Sequence, residues 1–315
     1  MMGPTPGTVL SQIVETEKPM RVRSSLLQQA FTAIVFVATF VRGGLAQDCP
    51  FDTVVHVIDN HGQPVANVTA AELNAEINGS PANVSSFSSG KSWIILILDV
   101  SPSMKHTWNQ QLAAAKQFVE KAENVDTVIF RERVQGYAIG RSRSEELLDQ
   151  LSKQGPPSGL GGTALYDTLI EIAGRVTAHN AAIVVISDGG DNMSRNSADT
   201  TAALFLHSSW PPVFALVLDY DQKDTLRRYL KKISAATGGM ILYPSSASKV
   251  STAADELAAV VLSPFALTLQ VPRSVTGMAK LNLEAAGPDG KRRKDINLLH
   301  VAQIPACQSQ PPDHH

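Results

Sequence analysis

The sequence predicts an α/β fold, a Rossmann-like doubly wound and mostly parallel sheet, flanked on both sides by β segments. Three observations predict it. Residues 93–99, 182–186 and 213–218 are short, nearly unbroken apolar runs rich in β-branched residues, as strands buried on both faces require. Amphipathic helical stripes separate these runs, and strands alternating with helices give a parallel sheet. Outside residues 92–263 the helical period stops, and strand and turn signals replace it.

The 315 residues suffice for one large domain or two modest ones. A net charge of −2 offers no basic footprint for nucleic acid. Residues 1–46 read as a leader and export signal. Arg21 and Arg23 precede an apolar stretch at 30–41, and Gly44 and Ala46 place small residues at −3 and −1 before Gln47. That stretch is shorter than the roughly 20 residues a membrane span needs. A buried core helix is the alternative, and Met20 is a second candidate start. The expected mature chain is periplasmic, cell-surface or secreted, without an integral membrane span. Its two cysteines, Cys49 and Cys307, stand near its ends. An oxidising compartment would let them pair, but their spacing alone does not show that they meet.

Residues 47–91 form the N-terminal β segment and linker. A strand at 53–58 leads into the turn Asp59-Asn60-His61-Gly62. Asn78-Gly79 between strands at 73–77 and 83–87 is a hairpin signal, and the Ser/Gly-rich stretch 85–91 reads as a linker. Residues 92–263 are the α/β domain. After the first strand, Leu112, Ala115, Val119 and Ala122 share a helical face. Short strands follow at 128–130 and 137–139, and Ser144 is expected to cap a helix carrying Leu147, Leu148 and Leu151. The loop 155–162 leads to a stripe of Leu165, Leu169, Ile172, Ala173 and Val176. Helices are predicted over 197–206, from Asp221 or Asp224 to Gly238-Gly239 with Leu226, Leu230 and Ile233 inward, and over 248–262. A short strand at 240–243 precedes the last. Residues 264–307 return to β character, with strands at 266–271, 280–283 and 296–301 and a turn at 287–290. The two β segments are expected to pack together as one small sandwich. Residues 308–315 read as a loose tail.

The chemistry gathers at strand ends. Asp99 terminates the first apolar run, and Ser101 and Ser103 follow as a DxSxS pattern. Thr163 stands in Gly161-Gly162-Thr163, and Asp188 follows the second buried run in Ser187-Asp188-Gly189. Open α/β sheets bind ligands at this carboxyl edge. Carboxylates and hydroxyls are hard donors that suit Mg²⁺, with Mn²⁺ or Ca²⁺ also compatible. Two carboxylates roughly balance a divalent ion's charge and three hydroxyls add none, so a shell with so few anionic donors leaves the ion electrophilic, and an open coordination position would favour an anionic ligand. Taken singly, Asp99 and Ser103 also suit helix caps, and Asp188 a turn.

Together these motifs resemble the von Willebrand factor type A (VWA) domain with its metal-ion-dependent adhesion site, over residues 93–262. The resemblance implies Asp99, Ser101, Ser103, Thr163 and Asp188 as the metal-site residues. It implies direct contact by the serines and at times Thr163, with the aspartates often acting through water. It also implies an acidic side chain of a partner protein as ligand, and in integrin-like members a last helix, here 248–262, that moves on binding. Val57, Asp59, Gly62, Pro64 and Val65 form a phrase similar to one in exported VWFA-related proteins of acidobacteria. The expected function is an exported, non-enzymatic module that binds a protein through its metal. One alternative is a structural envelope protein with a stabilising metal. Another is a metal-dependent phosphatase-like hydrolase, but Ser101 stands where that chemistry wants a second aspartate. His106 reads as a solvated loop residue, Asp191 equally as a turn residue or as a support behind the metal ligands, Trp108 and Trp210 as helix packing, and residues 291–294 as a basic hairpin tip.

Overall fold

The structure is a computed structural model that describes residues 48–208, 210–218 and 224–307, within a unit spanning Gly44–His315. The predicted leader, the tail at 308–315, Asp221 and the Leu226 side chain lie outside the described residues.

Strands β1 (Cys49–Asp59), β2 (Leu73–Ile77) and β3 (Ser80–Ser89) come first. Asn78 and Gly79 join β2 to β3 with φ of 51° and 79°, the paired positive values of a type I′ hairpin turn. The predicted linker at 85–91 is strand as far as Ser89. Its serines are exposed, while Phe87 is half-buried and stacks on Phe265 with centroids 4.5 Å apart. A polar strand with one wet face thus has the composition of a loop.

The α/β unit runs β4 (Trp93–Asp99), α1 (Trp108–Lys121), β5 (Asn124–Phe130), β6 (Val134–Ala138), α2 (Arg141–Gln154), α3 (Leu165–Ala173), β7 (Ala181–Ser187), α4 (Ala198–Ser208), β8 (Val213–Val217), α5 (Asp224–Thr237), β9 (Ile241–Leu242) and α6 (Val250–Val261). The sheet order is β6-β5-β4-β7-β8-β9. All its pairings are parallel except β5 with the edge strand β6. Alternate residues of β4 serve opposite faces. Ile94, Leu96 and Leu98 pack with α1, α2 and α6, and Ile95 and Ile97 with α3, α4 and α5. From β4 the chain builds first toward β5, then returns to the other side for β7. The switch point, and the crevice that goes with it, therefore lies between the carboxyl ends of β4 and β7.

Two boundaries differ from expectation. Ser144 does not cap α2. Gly140 takes that position, with φ of 81° and its amide on Asp126 Oδ1 at 2.7 Å, and Ser144 is buried one turn inside. Val176 lies beyond α3, which ends at Ala173, yet still packs against the α3 face of the core.

The last strands are β10 (Phe265–Val271), β11 (Met278–Ala285), β12 (Ile296–Leu299) and β13 (Gln303–Pro305). They interleave with the first three in one antiparallel sheet of order β12-β1-β10-β3-β2-β11-β13. The expected sandwich is a single seven-stranded sheet. Edge residues Ile296 and Ile304 share a core with Leu267 and Leu281 from its interior strands, so the sheet folds over its own inner face. The second half of β1 is buried on both faces. Val55 and Val57 enter this core, whereas Ile58 joins the core of the α/β unit and His56 meets Phe214 of β8 edge-on at 4.9 Å. Among the described residues no helix is long and apolar enough to cross a membrane.

Candidate metal centre

Asp99 is the last residue of β4, at the switch point, and is fully buried. Its Oδ1 accepts the Ser101 amide at 2.8 Å, and its Oδ2 accepts the Ser187 hydroxyl at 2.7 Å. Burial, reinforced by the charge of Asp188, pushes its pKa up to about 6; the bonds from Ser101 and Ser187 oppose that rise. A short 3-10 turn, Pro102–His106, then carries the chain into α1. Ser101 is buried and Ser103 exposed, and their hydroxyl oxygens lie 2.9 Å apart.

Asp188 follows β7 and accepts the Gly190 amide on Oδ1 at 2.9 Å. Thr163 is buried, and its backbone is tied to the same β7 exit loop by three hydrogen bonds, one of them to a side chain. Its amide donates to Asn192 Oδ1 at 2.8 Å, and its carbonyl accepts the amides of Asn192 and Met193, each at 3.0 Å. Gly162 makes this docking possible, because a Cβ there would overlap Asn192 Oδ1 and Met193 Cγ. The Ala164 amide also bonds Arg131 O at 2.7 Å, and the Val100 amide bonds Phe130 O at 2.8 Å. The loops after β4, β5 and β7 and the loop before α3 thus form one connected rim.

The donor set fits a hard divalent cation. Adjacent ligand oxygens on an octahedron with bonds of about 2.1 Å stand about 3 Å apart, close to the spacing of the two serine hydroxyls. A cation beside Asp99 and Asp188 would offset the burial and the like charge that hold Asp99 toward its neutral form. Among the described residues no three His, Cys, Asp or Glu side chains cluster as a metal site, so a site here rests on hydroxyls as much as on carboxylates.

Sequence reasoning missed two supports. Ser187 orients the Asp99 carboxylate while accepting the Gly189 amide at 3.0 Å. Gln111, on the inner face of α1, donates from Nε2 to Asp99 O at 2.9 Å and to Ile186 O at 3.1 Å, holding the ends of β4 and β7 together across the switch point. A glutamine on an otherwise apolar helix face was the available signal. Gln111→Leu is expected to cost about 2–3 kcal/mol, since two buried carbonyls lose their donor. Urea unfolding measures it, and a loss under about 0.5 kcal/mol would rule out the clamp. Asp191 caps α3, accepting the Tyr166 amide at 2.9 Å and the Ser194 hydroxyl at 2.6 Å. His106 is exposed, Trp108 is buried, and Trp210 packs edge-on against Phe205 at 5.0 Å. In the basic run, Lys291, Arg292 and Arg293 pair with Asp289, Glu284, Glu72 and Asp295.

A doubly wound parallel sheet with DxSxS, a Gly-Gly-Thr turn and Ser-Asp-Gly gathered at its switch point defines the von Willebrand factor type A class. A family model described as "VWA domain containing CoxE-like protein" matches residues 81–208. Over those residues the chain matches the VWA domain family. VWA domains are typically protein–protein interaction modules and generally non-catalytic. Similar solved structures include an aerotolerance-related membrane protein from Bacteroides fragilis, at 17% identity over 55% of this chain and 98% of that one, TM-score 0.41. The vWF domain of the type V pili tip protein Mfa5 from Porphyromonas gingivalis is 12% identical over 53% of this chain and 94% of its own, TM-score 0.42. Proximal thread matrix protein 1 from the mussel byssus is 18% identical over 56% of this chain and 47% of its own, TM-score 0.41. No curated protein matches the sequence.

Proposed function

We propose that this protein binds a divalent cation, Mg²⁺ first, through Ser101, Ser103 and Thr163 with Asp99 and Asp188, and through the ion captures a carboxylate of a partner protein. The observation that carries this reading is the buried Asp99 at the switch point, beside Asp188 and the paired serine hydroxyls. Few anionic donors leave the ion electrophilic, and an acidic side chain is the simplest ligand to complete its shell. The chain's own residues supply positioning only, so the protein acts as a binding module rather than an enzyme. Export to an oxidising compartment fits the bonded Cys49–Cys307 pair.

Thermal and urea unfolding in Mg²⁺ or Mn²⁺ tests the metal. At a hundredfold excess over its dissociation constant the ion is expected to add about 2.7 kcal/mol of stability. Asp99→Ala should abolish that gain together with metal-dependent capture of a carboxylate-bearing partner. An equal gain in parent and variant, or none in the parent, would overturn the proposal.

A further inference from the structure

Beside the candidate centre the surface is apolar on one side. Leu160 is 99% exposed and Met193 52%, and among the described residues only Tyr137 and Ile139 are other large hydrophobic side chains so exposed. Tyr137 and Ile139 belong to β6 and the residue pair after it, away from the site loops. Met193 bonds Thr163, and Leu160 lies three residues before it in the same loop. The Leu160 carbonyl accepts a guanidinium N–H of Arg131, whose own carbonyl holds the Ala164 amide. The Met193 amide donates to Thr163 O, and its side chain lies over Gly162, in space that any Cβ there would fill. The backbones that carry these two exposed apolar side chains are therefore tied into the hydrogen bonds around Thr163.

Charge differs around the rim. On the Ser103 side Lys105 and His106 are exposed. On the Thr163 side Glu132 is exposed and accepts the Gly162 amide at 3.4 Å, which disfavours a second acidic group there. An exposed apolar pair beside a polar binding point marks an interaction surface.

We infer that the partner segment captured at this site presents a large aliphatic side chain next to its carboxylate, seated against Leu160 and Met193. The inference rests on the metal-and-carboxylate reading above. Burying one aliphatic side chain in a shallow, open contact contributes about a tenfold gain in affinity.

The test uses the full protein in saturating Mg²⁺ with fluorescein-labelled peptides. One is centred on Leu-Glu-Leu, one on Ser-Glu-Ser, and one on Leu-Gln-Leu. The Leu-Glu-Leu peptide is expected to bind about tenfold tighter than Ser-Glu-Ser, and Leu-Gln-Leu to show no metal-dependent binding. In a Leu160→Ser/Met193→Ser variant that preference should vanish while Mn²⁺ affinity, followed separately, stays unchanged. Equal affinity for the two Glu peptides in the parent, or a preference that survives in the variant, would overturn the inference and leave the metal reading standing. A metal-loaded protein that binds no Glu peptide would overturn carboxylate capture and this inference together. Failure to bind Mn²⁺ at all would instead remove the metal site on which both depend.

Discussion

Replacing Cys49 and Cys307 together with serine is expected to lower the unfolding free energy by about 4 kcal/mol, at the upper end of the usual range for a disulfide. The two sulfurs are bonded, with Cα atoms 5.7 Å apart and a sequence separation of 258. Cys49 opens β1, opposite Val271 in the antiparallel register with β10, and Cys307 follows β13 with its sulfur 3.3 Å from Val271 O. The α/β unit sits between β3 and β10 in the chain, so this link joins the two ends of the flanking sheet around the whole inserted unit. Cross-linking such a long loop removes much of the freedom of the unfolded chain. The double substitution avoids a stray thiol. Urea unfolding of parent and variant, with the parent also measured after reduction, decides the matter. A loss under about 1 kcal/mol would show that the strands hold the ends without help.

Acidification should produce the second large effect, through His56. Burial pushes its pKa down from 6.5 to about 4, with the Val261 backbone opposing only in part. The Val261 backbone is the polar group facing the ring, without a well-formed hydrogen bond to either nitrogen, and the ring packs edge-on against Phe214. The unfolded chain takes up a proton as pH falls through 6.5, whereas the folded chain resists until about 4. The contribution is fully present above pH 6.5 and is lost progressively between 6.5 and 4. The loss is expected to total about 3 kcal/mol. His300, half-buried and also shifted down by burial, adds to the same slope. Asp99, shifted up by burial, works against it, because its folded form holds a proton that the unfolded form releases. The difference between parent and His56→Phe isolates the histidine. Unfolding free energies measured from pH 7.5 to 4 should converge as pH falls, with the parent losing about 3 kcal/mol more than the variant. Parallel curves would mean that His56 already carries its proton in the folded protein or finds a partner there.

The parallel sheet was legible because its strands are buried on both faces and therefore apolar throughout, as in Ile94–Leu98 and the seven buried residues of β7. The hairpin at Asn78-Gly79 was legible because few residues other than Asn and Gly tolerate two successive positive φ values. The candidate donors were legible because polar residues that abruptly follow apolar runs stand out. The extent of β3 was not, since a serine-rich strand with one wet face has the same composition as a linker. Nor was the two-sided burial of His56, because β1 alternates between two cores that lie far apart in sequence.

By itself the sequence determined the order of strands and helices and the identity of the residues at the strand ends, because hydrophobic period and turn chemistry are local properties. Only the tertiary structure decided that β7 lies beside β4. That placement puts Ser187 on the Asp99 carboxylate and lets Gln111 span two strand ends 75 residues and 12 residues away in the chain. It also decided that segments before and after the α/β unit interleave in one sheet closed by Cys49 and Cys307. Such pairings are chosen by the burial of whole faces against one another, and no single stretch of sequence encodes them.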